Sequence, residues 1–151
     1  MSVADRLAEL GITLPPVTAP LASYVPAVRT GNLVYTSGQL PIVAGELVVT
    51  GKVGAEVSAE DAAGHARTCA LNAVAAVASL VGLDEVRRVV KVVGFVASAP
   101  GFAGQPAVIN GASDLLGEIF GEAGKHARSA VGVAELPRNA PVEVELIVEV
   151  G

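Results

Sequence analysis

The last nine residues before the C-terminal glycine constrain this chain most. They read Val142-Glu143-Val144-Glu145-Leu146-Ile147-Val148-Glu149-Val150, a period-2 run that suits only a strand. One face carries five apolar side chains; the other carries Glu143, Glu145, Ile147 and Glu149. A strand like this needs a sheet around it and a layer over its apolar face. Three carboxylates on one strand face are unusual. The pattern fits a solvated face as well as a functional one.

Upstream, Val25 to Arg29 and Leu33 to Thr36 flank Gly31-Asn32, a hairpin signal, and Glu46 to Thr50 reads as a short third strand. Ser58, followed by Glu60 and Asp61, caps a helix expected to run to Val81 and stop at Gly82. Its Ala66, Ala70, Ala73, Val74 and Val77 form a face of small residues. Val86 to Ala99 reads as a Val-rich central strand, and Pro106 to Phe120 as a second helix with proline in its first turn. Ser129 to Leu136 and Val142 to Val150 are the last two strands, joined by a turn at Pro137 to Pro141. The expected order is β-β-β-α-β-α-β-β, an α+β domain with two helices on one face of a single sheet. No linker or repeat divides residues 1–151, so one domain is expected, with residues 1–20 as an N-terminal extension. In that extension Val3 to Leu10 is a short helix, and Ile12 to Pro20 is an extended, proline-rich stretch.

Composition narrows the function. The chain is 52% hydrophobic, mostly Ala and Val, with a mean hydropathy of +0.58. The longest apolar stretch, Thr68 to Leu83, is too short for a membrane span and contains Asn72. A soluble chain with this excess is expected to bury part of it between subunits. Asp5, Arg6 and Glu9 stand where a signal peptide would be apolar. A single cysteine, Cys69, allows no intrachain disulfide and fits a reducing cytoplasm. Net charge is −5, basic residues are scattered, and aromatics are 3% of the chain. Neither a basic stripe nor stacking platforms for nucleic acid are present.

His65 and His126 are isolated, and Cys69 lies four residues from His65 without further ligands, so no metal-ligand spacing is present. His65 reads as a solvated helix residue and Cys69 as a core filler. Ser37-Gly38 has no local His or Asp partner for a nucleophile. Arg128, opening a Val-rich strand after a glycine-containing loop, could clamp a carboxylate or form a surface ion pair.

The segment Ala127-Arg128-Ser129-Ala130-Val131-Gly132-Val133-Ala134-Glu135-Leu136-Pro137, followed by Val142-Glu143-Val144-Glu145, resembles the signature of the RidA (YjgF-type) family, also called L-PSP endoribonucleases. Gly31-Asn32-Leu33-Val34-Tyr35-Thr36-Ser37-Gly38-Gln39 resembles that family's other recurrent segment. Tyr24 fits its site tyrosine, and Asn110, in Val108-Ile109-Asn110, its asparagine. The resemblance runs in order from Tyr24 to Val150. It implies a chorismate-mutase-like fold, a homotrimer with clefts between subunits, and cofactor-free hydrolysis of enamines and imines of small amino acids to 2-keto acids and ammonia. In that scheme Arg128 binds the substrate carboxylate and Glu143 handles water. Tyr24, Ser37, Gly38 and Asn110 line the cleft, and the Ala130 backbone helps hold water or ligand. Ala130 stands where active members carry cysteine, and Gly124-Lys125-His126-Ala127 where Phe-Pro-Ala often precedes the arginine.

Three functions are therefore weighed. One is an imine deaminase using Arg128 and Glu143. Another is a non-catalytic sensor of a small carboxylate or keto acid that needs only Arg128. The third is an endoribonuclease, against which the acidic balance argues.

Overall fold

The computed structural model describes residues 1–20 and 22–151. The elements run α1 (Val3–Glu9), β1 (Ala27–Thr30), β2 (Leu33–Thr36), β3 (Ile42–Val43), β4 (Glu46–Leu47), α2 (Ala59–Ala78), β5 (Val86–Ala97), α3 (Gln105–Phe120), β6 (Ala127–Val133) and β7 (Val142–Val150). Five strands form one sheet in the order β1-β2-β7-β5-β6, with β5 and β6 parallel and the other pairs antiparallel. This is the expected α+β fold, with one correction. The third predicted strand does not join the sheet. Only Glu46–Leu47 is extended, and it pairs with Ile42–Val43 in a separate two-stranded ribbon. Its turn puts Ala44 at φ 52° and Gly45 at φ 82°, and Gly51, at φ 120°, redirects the chain soon after.

β7 behaves as its period requires. Every even position from Val142 to Val150 is buried and every odd one is half-exposed. The buried face meets α2, whose Ala62, Ala66, Cys69, Ala70, Ala73 and Val77 are buried in the same core as Val144, Leu146 and Val148. Small side chains let the helix lie close to the sheet, and each fully buried Val, Leu or Ile contributes about 1.5–3 kcal/mol. Ser58 caps α2 as predicted, its hydroxyl accepting the Asp61 N–H at 3.1 Å. The helix ends at Ala78, three residues before the predicted Val81, where the Ser79 hydroxyl bonds the Ala76 carbonyl at 2.6 Å.

The second helix, α3, is seated by backbone contact. A methyl group added at Gly111 would strike the Ala63 carbonyl of α2, so the two helices touch main chain to main chain there. This fixes the height and rotation of α3, and hence the position of the adjacent Asn110. At the other end of the chain α1 is tied down too: Val3 N–H donates to Asp84 Oδ1 at 2.7 Å, and Arg6 Nε to the Glu118 carbonyl at 2.8 Å. No helix among the described residues is long and apolar enough to cross a membrane.

Candidate functional site

Strand register decides where each candidate side chain goes. Arg128 pairs with Val92, which pairs with Leu146, so Arg128 leaves the sheet on the helix-covered face. Glu143 pairs with Phe95, one position out of phase, and leaves on the helix-free face. The sequence-predicted residues therefore fall into two groups within one chain.

The first group is a cation held by α3. Arg128 Nη1 donates to Asn110 Oδ1 at 2.8 Å and to Ser113 Oγ at 3.2 Å; Nη2 donates to the Pro106 carbonyl at 3.3 Å. Pro106, Asn110 and Ser113 are spaced four and three apart, one stripe of acceptors along the helix. All three are neutral. Among the described residues no carboxylate pairs with Arg128, unlike Arg6, Arg67 and Arg88, which pair with Glu9, Glu118 and Glu149. Three N–H bonds are used within the chain; the other two sit on the adjacent Nε and Nη2, an arrangement suited to gripping a carboxylate. Ala130 lies two residues along on the same face and packs against the core.

The second group surrounds Glu143. A cavity of about 60 Å³ is lined by Tyr24, Gly38, Gln39, Pro137 and Glu143, with Thr18 to Pro20 of the N-terminal segment on one side. The Glu143 carboxylate lies against Gly38, where any side chain would collide with it. Burial raises the Glu143 pKa above the usual carboxylate value, and the charge of Glu145, two residues along the same face, raises it further. Glu149, the third acid of the stripe, is instead engaged by Arg88 at 3.7 Å. Ser37 precedes Gly38 in the chain, and its hydroxyl donates to the Val25 carbonyl at 2.5 Å, tying the end of β2 to the segment after Tyr24.

A wider cavity of about 300 Å³ adjoins this one. It shares Thr18, Ala19, Pro20 and Ile42 with it, and adds the buried Asn72 and the exposed Arg138. The N-terminal segment thus walls both spaces. Cys69 is buried, and burial pushes its thiol pKa well up, which suits the core filler predicted. His65 is only partly exposed, a correction to its reading as a solvated residue; burial lowers its pKa, and Asp61 partly offsets this. No group of three His, Cys, Asp or Glu side chains among the described residues could hold a metal ion.

Sequence reasoning missed Ser113 and His126. His126 Nε2 lies 2.8 Å from Ser113 Oγ, and its Nδ1 lies 2.6 Å from the Gly124 carbonyl. The spacing of Asn110 and Ser113 puts them on one helix face and was readable. That this face meets β6, and that His126 reaches it, depends on tertiary packing.

The family described as "YjgF/chorismate_mutase-like, putative endoribonuclease" matches residues 4–150. Protein TCP17 of Trypanosoma cruzi is 47% identical over 149 residues, covering 97% of this chain and 93% of that protein. A 2-iminobutanoate/2-iminopropanoate deaminase of Dermatophagoides farinae is 36% identical, covering 91% of this chain and 93% of that one. Among solved structures, Atu1372 from Agrobacterium tumefaciens, of unknown function, superposes with a TM-score of 0.90 at 51% identity, covering 99% of this chain and 94% of that one.

Proposed function

The chain belongs to the YjgF/chorismate-mutase-like family, and from that premise we propose that it is an imine deaminase acting on small 2-imino acids. The observation that carries this reading is an arginine that, among the described residues, is held by neutral acceptors alone, together with a separate glutamate of raised pKa in a small cavity. The deaminase of Dermatophagoides farinae supports the substrate class.

In this scheme the Arg128 guanidinium grips the substrate carboxylate and orients the adjacent C=N carbon. A protonated imine is already electrophilic, so the protein has only to place a water and move protons. Glu143 takes a proton from the water as its oxygen bonds to the imine carbon, giving a carbinolamine. It then returns the proton to the nitrogen. The C–N bond breaks, ammonia leaves with the bonding pair, and the hydroxyl loses its proton to give the 2-keto acid. A raised pKa makes the Glu143 carboxylate a stronger base for the first transfer than an ordinary carboxylate. No cofactor enters the scheme.

Because Arg128 and Glu143 leave opposite faces of one sheet, a site that uses both takes Arg128 from one copy and Glu143 from another. The helix-free face supports association. It presents Val28, Tyr35 and Val131, each more than 40% exposed, beside the half-buried Phe95 and Ile147. A homotrimer, with sites in its clefts, is the assembly proposed.

The test couples purified protein to an enzyme that generates 2-iminopropanoate and follows pyruvate release. Faster release that is lost in Arg128→Ala is the expected result. No acceleration by the wild type contradicts the reading. Pyruvate binding without turnover, surviving Glu143→Gln, would instead mark a sensor of small keto acids.

A further inference from the structure

Arg128 sits on an edge strand and is partly exposed. A free arginine side chain there would sample many rotamers, and gripping a ligand would cost the entropy of fixing it. The structure holds it in one pose through a chain of hydrogen bonds that runs away from the cleft.

The polarity of this chain follows from elementary chemistry. The Gly124 carbonyl can only accept, so His126 Nδ1 carries the hydrogen and donates to it at 2.6 Å. In the neutral imidazole Nε2 is then an acceptor, and the Ser113 hydroxyl donates to it at 2.8 Å. Ser113 Oγ, its hydrogen committed to His126, turns its lone pairs towards Arg128 and accepts Nη1–H at 3.2 Å. The order is Arg128 to Ser113 to His126 to the Gly124 carbonyl, with every donor meeting an acceptor. Asn110 Oδ1 takes the other Nη1 hydrogen.

A hydroxyl beside an imidazole that is oriented by a third group also has the layout of a nucleophile and its base. Two features argue against that here. Ser113 Oγ accepts from a guanidinium, which lowers its nucleophilicity. It also lies mid-helix in α3, where backbone N–H groups are used in the helix and cannot stabilise an oxyanion.

We propose that Ser113 and His126 are positioning residues that lock the Arg128 guanidinium for carboxylate binding. This rests on the reading of Arg128 as the carboxylate anchor. Neither residue touches the ligand; both act through the pose of Arg128.

The experiment measures pyruvate affinity by titration calorimetry, with melting temperature followed in parallel. Ser113→Ala should weaken pyruvate binding roughly tenfold, the effect of losing one hydrogen bond to a charged group, and His126→Ala should weaken it too, because the Ser113 hydroxyl loses the acceptor that turns its lone pairs towards Arg128. His126→Gln places an amide near the Nε2 position, can still accept from Ser113, and should bind close to wild type. His126→Asn keeps the bond to Gly124 but not to Ser113, and should behave like His126→Ala. Absence of pyruvate binding by the wild type, or no loss in Arg128→Ala, would sink the anchor and this inference with it. Loss in Arg128→Ala with full affinity in Ser113→Ala and His126→Ala would sink the positioning role alone. So would equal loss in His126→Gln and His126→Ala.

Discussion

Arg128 and Glu143 leave one sheet from opposite faces, with β5 lying between their strands. Within a single chain the two side chains therefore lie in separate surroundings. The α3 stripe of Pro106, Asn110 and Ser113 orients the first, and the Tyr24 loop with Gly38 encloses the second.

Arg128→Ala should weaken pyruvate binding by about 100-fold or more, as expected for loss of a bidentate charged contact. Arg128→Lys keeps the charge but loses the fork, so it should recover only part of the affinity. Both proteins should stay folded, because Arg128 and Asn110 are reachable by water and their bonds can be replaced. Calorimetry and thermal melting of the same samples check both statements.

Glu143 gives a pH prediction with a definite sign. Its folded-state pKa is raised, so the folded protein binds this proton more readily than the unfolded chain does. Its favourable contribution to stability is fully present below the unfolded-state pKa and is lost as pH rises through the folded-state pKa. At pH 7 the buried charge is a burden, and Glu143→Gln should raise Tm. At pH 4 that gain should shrink. Deaminase activity needs the ionised form and should fall on the acid side, with a midpoint raised relative to an ordinary glutamate. Melting curves and rates from pH 4 to pH 8 test these three statements. A Glu143→Gln protein that is less stable than wild type at pH 7 would contradict the first.

Two glycine substitutions should move stability in opposite directions. Gly111→Ala drives a methyl group into the Ala63 carbonyl and must push α2 and α3 apart. Overpacking of this kind costs about 1–3 kcal/mol, lowering Tm by roughly 2–12 °C. Gly64 lies exposed within α2 with open space around it, so Gly64→Ala should stabilise by about 0.4–1 kcal/mol. Denaturant unfolding of the pair measures both.

Gly38→Ala should abolish activity with a smaller effect on folding. The added methyl group meets the Glu143 carboxylate and must displace it from its cavity. Rates and Tm measured together separate the two effects. Wild-type activity in Gly38→Ala would show that the placement of Glu143 is unimportant.

Much of the architecture was legible because its signals are local. The alternation in β7 and the Ser58 cap each depend on a few neighbouring residues, and both were read with the boundaries that the structure has at those points. The third strand misled, because Glu46 to Thr50 has strand composition but only Glu46–Leu47 pairs, turning back on Ile42–Val43 through Ala44 and Gly45 rather than joining the sheet. Arg128 and the acidic face of β7 stood out from their residue patterns, and family resemblance added Asn110 and the choice of Glu143. The partition of these residues between two faces requires the strand order and the β5 register, which no local pattern encodes. The link from His126 to Ser113 crosses between a loop and a helix and depends on how Gly111 seats α3.

The most direct test of the two-copy site is complementation. Arg128→Ala and Glu143→Gln chains, each inactive alone, are co-expressed with different affinity tags, and assemblies carrying both tags are isolated. If each site takes its arginine and its glutamate from different copies, mixed assemblies contain some intact sites. Imine hydrolysis should then return to a substantial fraction of the wild-type rate. If mixed assemblies form and remain as inactive as their parents, Arg128 and Glu143 do not act together across copies, and the account is wrong.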